Sequence, residues 1–329
     1  MNPHVAWRLD LARDLAACLR PFSGLRAVLV GGSVARGYSD PWSDLELLLY
    51  WDADPEPDLR RGVMAALGAT LRYGPDHPGH WSACLIGGFP VDVWHRTGAA
   101  EEAALDAVLG DYSLDLIANN LLDTIRSGIP LVGGEVIQSW KDRLAVYPDG
   151  LTLRFLEHYL PHFHLRHLQY AARRDNPTAF FHTLSDIQCS LFLVLLALNG
   201  RWFPTYRWMY PALDAMPVVP ADIGPRLRRM YREPPRMAAS QLRDVLAETL
   251  GLVRTHVPRL DSLLLEPERY ELDLTPVAHE PPAGTGRRAD DGQASVPAPT
   301  PPLHHRSVTE SSNAADTLAP NAPTDSHDP

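Results

Sequence analysis

Apolar positions along the chain keep a helical period at first, switch to strand-like runs, and return to a helical period for the second half. Val5, Leu9, Leu11, Leu15 and Leu19 recur at helical spacing, so residues 5–20 predict an amphipathic helix closed by Pro21 and Gly24. Residues 25–30 form a short apolar run leading into Gly31-Gly32 and read as a first strand. A second strand is predicted over 45–50, with Leu45 and Leu47 on one face and Asp44 and Glu46 on the other. The turn-rich stretch 52–57 closes it, and 59–71 reads as a helix with small apolar residues on one side. Two further strand-like runs, 81–86 and 89–95, flank Gly87-Gly88 and predict a hairpin. From Glu101 the period is helical again (Ala104, Leu105, Val108, Leu109, then 114–125), down to turns at Gly128-Ile129-Pro130 and Gly133-Gly134.

Beyond Tyr147-Pro148-Asp149-Gly150 no run alternates like a strand. Residues 151–173, 179–199 and 227–257 are long apolar-periodic segments, with Asn199-Gly200 a helix stop. The organisation expected is a mixed sheet-and-helix domain over 1–150 and an all-α helical bundle over 151–275. Residues 276–329, dominated by Pro, Ala, Thr, Ser, Asp and Gly, are expected to be a disordered tail. The fold class is α+β, with a small mixed β-sheet.

Composition changes this picture little. With 329 residues and 45% hydrophobic content the chain can fill two cores. A net charge of −10 argues against an extensive nucleic-acid surface or a membrane surface as partner. Lys141 is the only lysine, so nearly all positive charge is arginine, the side chain suited to bidentate phosphate contacts. Cys18, Cys84 and Cys189 are far apart and odd in number, which gives neither a disulfide framework nor a Cys-x-x-Cys metal site. The first residues lack a charged segment followed by an apolar core, and the most apolar run, 191–198, falls short of the ~20 residues of a membrane span. A cytoplasmic location is the expectation.

The candidate chemistry concentrates between Gly31 and Glu46. Gly32 after a strand lets a phosphate approach the backbone, and Ser33 is expected to cap the helix that follows. No Gly-Lys-Ser/Thr follows, so this is not a Walker loop. Two carboxylates on one face of an apolar strand repel unless exposed, protonated or bridged by a cation. Asp44 and Glu46 so placed suit Mg²⁺, which takes a few carboxylates plus substrate phosphates, and Asp92 adds a third acid on a strand able to lie beside theirs.

Taken together, Gly32-Ser33, Arg36, then Ser43-Asp44-Leu45-Glu46, with Asp92 in a later strand, resemble the polymerase-β-like nucleotidyltransferase superfamily. Within it the pattern is most similar to the aminoglycoside (kanamycin) nucleotidyltransferase type, which has a C-terminal helical domain. The resemblance implies that Asp44, Glu46 and Asp92 form the catalytic and metal-binding set, holding two Mg²⁺ ions. It implies nucleotide contacts from Gly32, Ser33, Arg36 and Ser43, with ATP or another nucleoside triphosphate as donor. The reaction implied is in-line attack of a hydroxyl on the α-phosphorus with departure of pyrophosphate.

In the helical half the resemblance aligns Gln169 with the position of a glutamate base and Arg173 with a phosphate-binding lysine. Arginine can replace lysine there, whereas glutamine cannot accept a proton usefully. Arg207, in an aromatic-rich loop after a hydrophobic helix, is a further candidate for phosphate binding. His158, His162, His164 and His167 form a cluster, but Pro161 interrupts the spacing and no His-Glu-x-x-His occurs. The function expected is transfer of a nucleoside monophosphate, AMP from ATP, to a small hydroxylated acceptor. Nucleotidylation of a protein or RNA, or a non-catalytic nucleotide-binding regulatory module, are the alternatives. The partners expected are a nucleoside triphosphate, the small acceptor and, as an assembly the sequence allows, a second copy of the chain in a homodimer.

Overall fold

In a computed structural model, residues 2–74 and 80–272 are described, and contacts gather residues 1–274 into one compact unit. The expectation of a disordered tail over 276–329 lies outside the described residues.

The first helix, α1 (Pro3–Leu19), starts where Pro3 needs no amide partner and the Asn2 side chain accepts from the His4 amide at 2.9 Å. Then follow β1 (Leu25–Val30), the short α2 (Gly32–Arg36), β2 (Leu45–Trp51) and α3 (Pro57–Ala66). Next come β3 (Thr70–Tyr73), β4 (Trp81–Ile86), β5 (Phe89–Thr97), α4 (Gly98–Leu109), α5 (Leu116–Ser127), β6 (Ile129–Val132) and α6 (Gly134–Arg143). The remaining described elements are helical: α7 (Asp149–Tyr159), α8 (Leu165–Arg173), α9 (Pro177–Leu198), α10 (Met209–Asp214), α11 (Ile223–Met230), α12 (Pro235–His256) and α13 (Asp261–Leu272). The architecture is therefore α+β, with a mixed sheet first and helices after it.

The six strands lie in the order β3-β4-β5-β2-β1-β6. Every pairing is antiparallel except that of β2 with β5, which sets Leu45 to Trp51 against Val91 to Thr97 in unbroken register. Side chains alternate across this sheet and feed two cores. Val28, Val30, Leu45, Leu47, Leu49, Val91 and Val93 pack against Val5, Leu9, Ala12, Leu15 and Leu19 of α1. Ala27, Leu29, Leu48 and Tyr50 point the other way, into a core continuous with Leu122, Ile125 and Trp140 and with the apolar faces of α7, α9 and α12. The alternation read from Leu45 and Leu47 holds, and it puts Glu46 on the face that the later helices cover.

Several segments differ from their sequence reading for identifiable reasons. The helix expected over 59–71 stops at Ala66, because Gly68 takes a left-handed φ of 63° and the chain reverses into β3. The stretch with Pro130, read as a turn, is β6; it lies at the sheet edge, where a missing amide costs no ladder bond. Residues 151–173 are split at Pro161 and 227–257 at Pro234-Pro235, each proline removing a donor from the helix. Helix α9 is long and apolar enough, by length and composition, to cross a membrane. Most of it is buried, with Leu191 to Ala197 inside the second core.

Candidate active site

Parallel pairing of β2 and β5 sets Glu46 directly beside Asp92, and Asp44 precedes β2 by one residue. Three carboxylates thus meet at the start of two neighbouring strands, on the face turned toward the helices. The Gly31-Gly32 turn closes over them. The Gly31 amide donates to the Glu46 carbonyl at 3.0 Å, extending the β1–β2 ladder by one bond. Gly32 has φ +59°, and a Cβ there would stand 2.6 Å from both Cδ and Oε1 of Glu46. The group that Gly32 admits in this structure is therefore the Glu46 carboxylate.

Burial sets the electrostatics. Glu46 is pushed up to about 7, first by burial and then by Asp44, with a smaller push from Asp92. Asp92 is pushed up to about 6, again by burial and then by Asp44. Asp44 is raised by burial, while its own backbone amide, Arg207 and Arg8 pull it back. The buried indole N–H of Trp81 lowers Asp92 from nearby, although its geometry falls short of a hydrogen bond. Among the described residues none of the three acids makes an ion pair. Like charges held side by side raise one another's proton affinity, and a cation relieves this.

The positive charges stand around the acids. Arg207 is exposed and lowers all three, so its charge lies within electrostatic reach of the acids. Two contacts seat that loop: Trp208 packs on Tyr38 with ring centroids 5.4 Å apart, and Asn120 Nδ2 donates to the Phe203 carbonyl at 3.2 Å. Arg36, at the end of α2, is almost buried and also lowers Glu46. It is ion-paired to Asp123 of α5 at 2.6 Å, with Nε at 2.7 Å from the same oxygen and Nη2 at 3.2 Å from the Thr124 hydroxyl.

The serines behave differently from expectation. Ser33 does not cap α2: the helix begins one residue earlier with no side-chain cap, because Gly31 occupies the cap position. The Ser33 hydroxyl instead pairs with that of Ser39 at 3.1 Å, both buried. The Ser43 hydroxyl donates to Asp40 Oδ1 at 2.8 Å and accepts from the Asp40 amide at 3.0 Å, so it shapes the turn before Asp44. Arg8, only 1% exposed, fixes the same turn from α1 by donating to the carbonyls of His4, Asp40 and Ser43.

Other predicted residues are not drawn in. Arg173 is exposed at the end of α8, and it is not among the cations that shift the three acids. Gln169 is half-buried on the same helix and makes no hydrogen bond among the described residues. His158 and His162 have ring centroids 5.2 Å apart, and His162 and His164 6.1 Å. Among the described residues no three His, Cys, Asp or Glu side chains are arranged to hold a metal by themselves.

Sequence reading missed Arg8, Ser39 and Asp123. Asp123 carried no pattern, since its partner Arg36 is 87 residues away. Arg8 left one detectable trace, a charged residue beside the apolar positions of a core-facing helix.

No protein-family model and no curated protein matches the chain. Among solved structures it is similar to a nucleotidyltransferase-like protein from Exiguobacterium sibiricum 255-15. That likeness covers 79% of this chain and 88% of the other at 12% identity and a TM-score of 0.35. A likeness of that strength carries no weight for function.

Proposed function

We propose that the chain is a divalent-cation-dependent nucleotidyltransferase that moves a nucleoside monophosphate, AMP from ATP, onto a hydroxyl of a small acceptor. The observation that carries this reading is the half-buried trio Asp44, Glu46 and Asp92, set side by side by the β2–β5 register and near arginines that make no direct ion pair to them.

The donor set fits a hard cation. Carboxylates that raise one another's proton affinity bind one readily, and Mg²⁺ completes its shell with water and substrate oxygens. Asp44, Glu46 and Asp92 would hold it, as two ions by the resemblance to the polymerase-β-like enzymes. When bound, Mg²⁺ would supply charge neutralisation at the reacting phosphate.

This chain's residues would do the rest. Arg207 and Arg36 would bind phosphate oxygens, with Gly32, Ser33 and Ser43 shaping the turns that hold the carboxylates. The acceptor hydroxyl oxygen forms the new bond to the α-phosphorus as the bond to the bridging oxygen breaks, and pyrophosphate leaves with those electrons. Asp92 would take the hydroxyl proton, since Gln169 cannot. Helices α7 to α12, with the loop carrying Arg207, would present the acceptor.

Incubation with α-labelled ATP, Mg²⁺ and a panel of hydroxylated small molecules, tRNA and lysate proteins tests this. Transfer of label to a small acceptor should fall about a hundredfold or more in Asp44→Ala, Glu46→Ala and Asp92→Ala. Label transfer that survives all three sinks the carboxylate mechanism. Label on protein or RNA alone replaces the acceptor, and tight ATP binding without transfer replaces the enzyme by a regulatory module.

A further inference from the structure

Asp123 is an acid with no part in the carboxylate trio, yet the structure gathers charge around it. Its carboxylate takes two N–H groups of Arg36, and the Thr124 hydroxyl takes a third contact from Nη2. This leaves Nη1 of Arg36 without a hydrogen bond among the described residues. The guanidinium is planar and forked, so tethering it on one side fixes where the other points. Arg36 also acts electrostatically on Glu46 while holding Asp123 directly.

Two more arginines surround the same acid. Arg126 stands three residues along α5, on the same helix face as Asp123, and is exposed. Arg201 begins the loop whose Phe203 carbonyl is tied to Asn120, one turn before Asp123. It is exposed as well, and both act electrostatically on Asp123. Neither makes an ion pair among the described residues. Three guanidiniums thus lie within electrostatic reach of Asp123, Arg36 in direct contact and Arg126 and Arg201 unpaired among the described residues, in a protein of net charge −10. The same loop carries Arg207 to the acids at its other end, so the positive edge runs on into the acid site.

We infer that Asp123 is a positioning residue that aims Arg36, and that Arg126 and Arg201 complete with it a second anion subsite taking the distal phosphates of a nucleoside triphosphate. This rests on the nucleotidyltransferase reading for the identity of the ligand. The subsite itself needs only a compact polyanion.

Calorimetric titration of the full-length protein with sodium tripolyphosphate in EDTA tests it without turnover. Arg126→Gln and Arg201→Gln should each weaken tripolyphosphate about three- to tenfold and leave AMP unchanged. Arg229→Gln, on an exposed position of α11, should change neither. Asp123→Asn removes a negative charge, so a carboxylate acting only as counter-charge would give tighter tripolyphosphate binding. Positioning instead gives weaker binding and a raised KM for ATP with kcat changed less, partly restored in Asp123→Glu. Unchanged affinity in both arginine variants, or tighter binding in Asp123→Asn, overturns the inference. If Asp123→Asn fails to fold, the two exposed arginines still decide it. Arginine-dependent tripolyphosphate binding in a protein that transfers no nucleotide would leave the subsite standing and sink the enzymatic reading alone.

Discussion

Gly32→Ala separates what the Gly31-Gly32 turn does for folding from what it does for the acids. Two costs arise. An L-residue at φ +59° costs about 1 kcal/mol. The new Cβ would also lie 2.6 Å from Glu46 Cδ and Oε1, roughly 1 Å inside the optimum separation, so the carboxylate must swing off its rotamer at about 1 kcal/mol more. The total, about 2 kcal/mol, lowers the thermal midpoint by about 3–4 °C for a unit of this size. Only the second cost depends on the Glu46 side chain. In a Glu46→Ala background, Gly32→Ala should therefore cost about 1 kcal/mol, a coupling of about 1 kcal/mol in a double-mutant cycle. Urea unfolding of the four proteins measures it, and nucleotide transfer by Gly32→Ala should fall further than its stability does. Equal costs in the two backgrounds would refute the reasoning, because Gly32 would then serve only the backbone.

Three other outcomes follow from the same structure. His95 is buried at 2% exposure, with Nδ1 accepting from Trp51 Nε1 at 3.2 Å, and burial with Arg60 depresses it from 6.5 to about 3. A depressed folded value means its stability contribution is present above about pH 6.5 and is lost as pH falls toward 3; urea unfolding should show a loss of about 2 kcal/mol from this group between pH 7 and pH 5, absent in His95→Gln. Arg8→Met should destabilise by about 3 kcal/mol through the orphaned carbonyls of Asp40 and Ser43, and reduce transfer by loosening the turn before Asp44; a cost under about 1 kcal/mol refutes that role. Mg²⁺ at about a hundred times its dissociation constant should stabilise the wild type by about 3 kcal/mol in a thermal melt and leave Asp44→Ala unmoved; equal stabilisation of both places the cation elsewhere.

What the sequence conveyed about the fold was mostly local. Strand β1, the β4–β5 hairpin at Gly87-Gly88 and helix α9 are legible because period and turn chemistry lie in contiguous residues. β3 and β6 were not, since each is four residues long and recognisable only through its partner, β4 or β1. The long segments around Pro161 and Pro234 kept their apolar period through a break that only the prolines announce.

The site divides along the same line. Asp44, Glu46 and Asp92 were legible because a carboxylate on an apolar strand contradicts its surroundings, and the alternation of Leu45 and Leu47 says which face it takes. Their proximity needed the parallel β2–β5 register, which no local pattern encodes. Ser33 and Ser43 show the converse. Their residue types suit phosphate contacts, yet Ser39 and Asp40, close along the chain, engage both hydroxyls, and only three-dimensional placement reveals it. A polar side chain in a motif thus has two uses that sequence cannot separate, binding a ligand and holding the turn that presents one. Arg8 belongs to the second kind, and the order of losses measures the difference. A turn-holding residue should lose stability and activity together, whereas Asp44 and Arg207, without an ion pair among the described residues, should lose activity with stability kept.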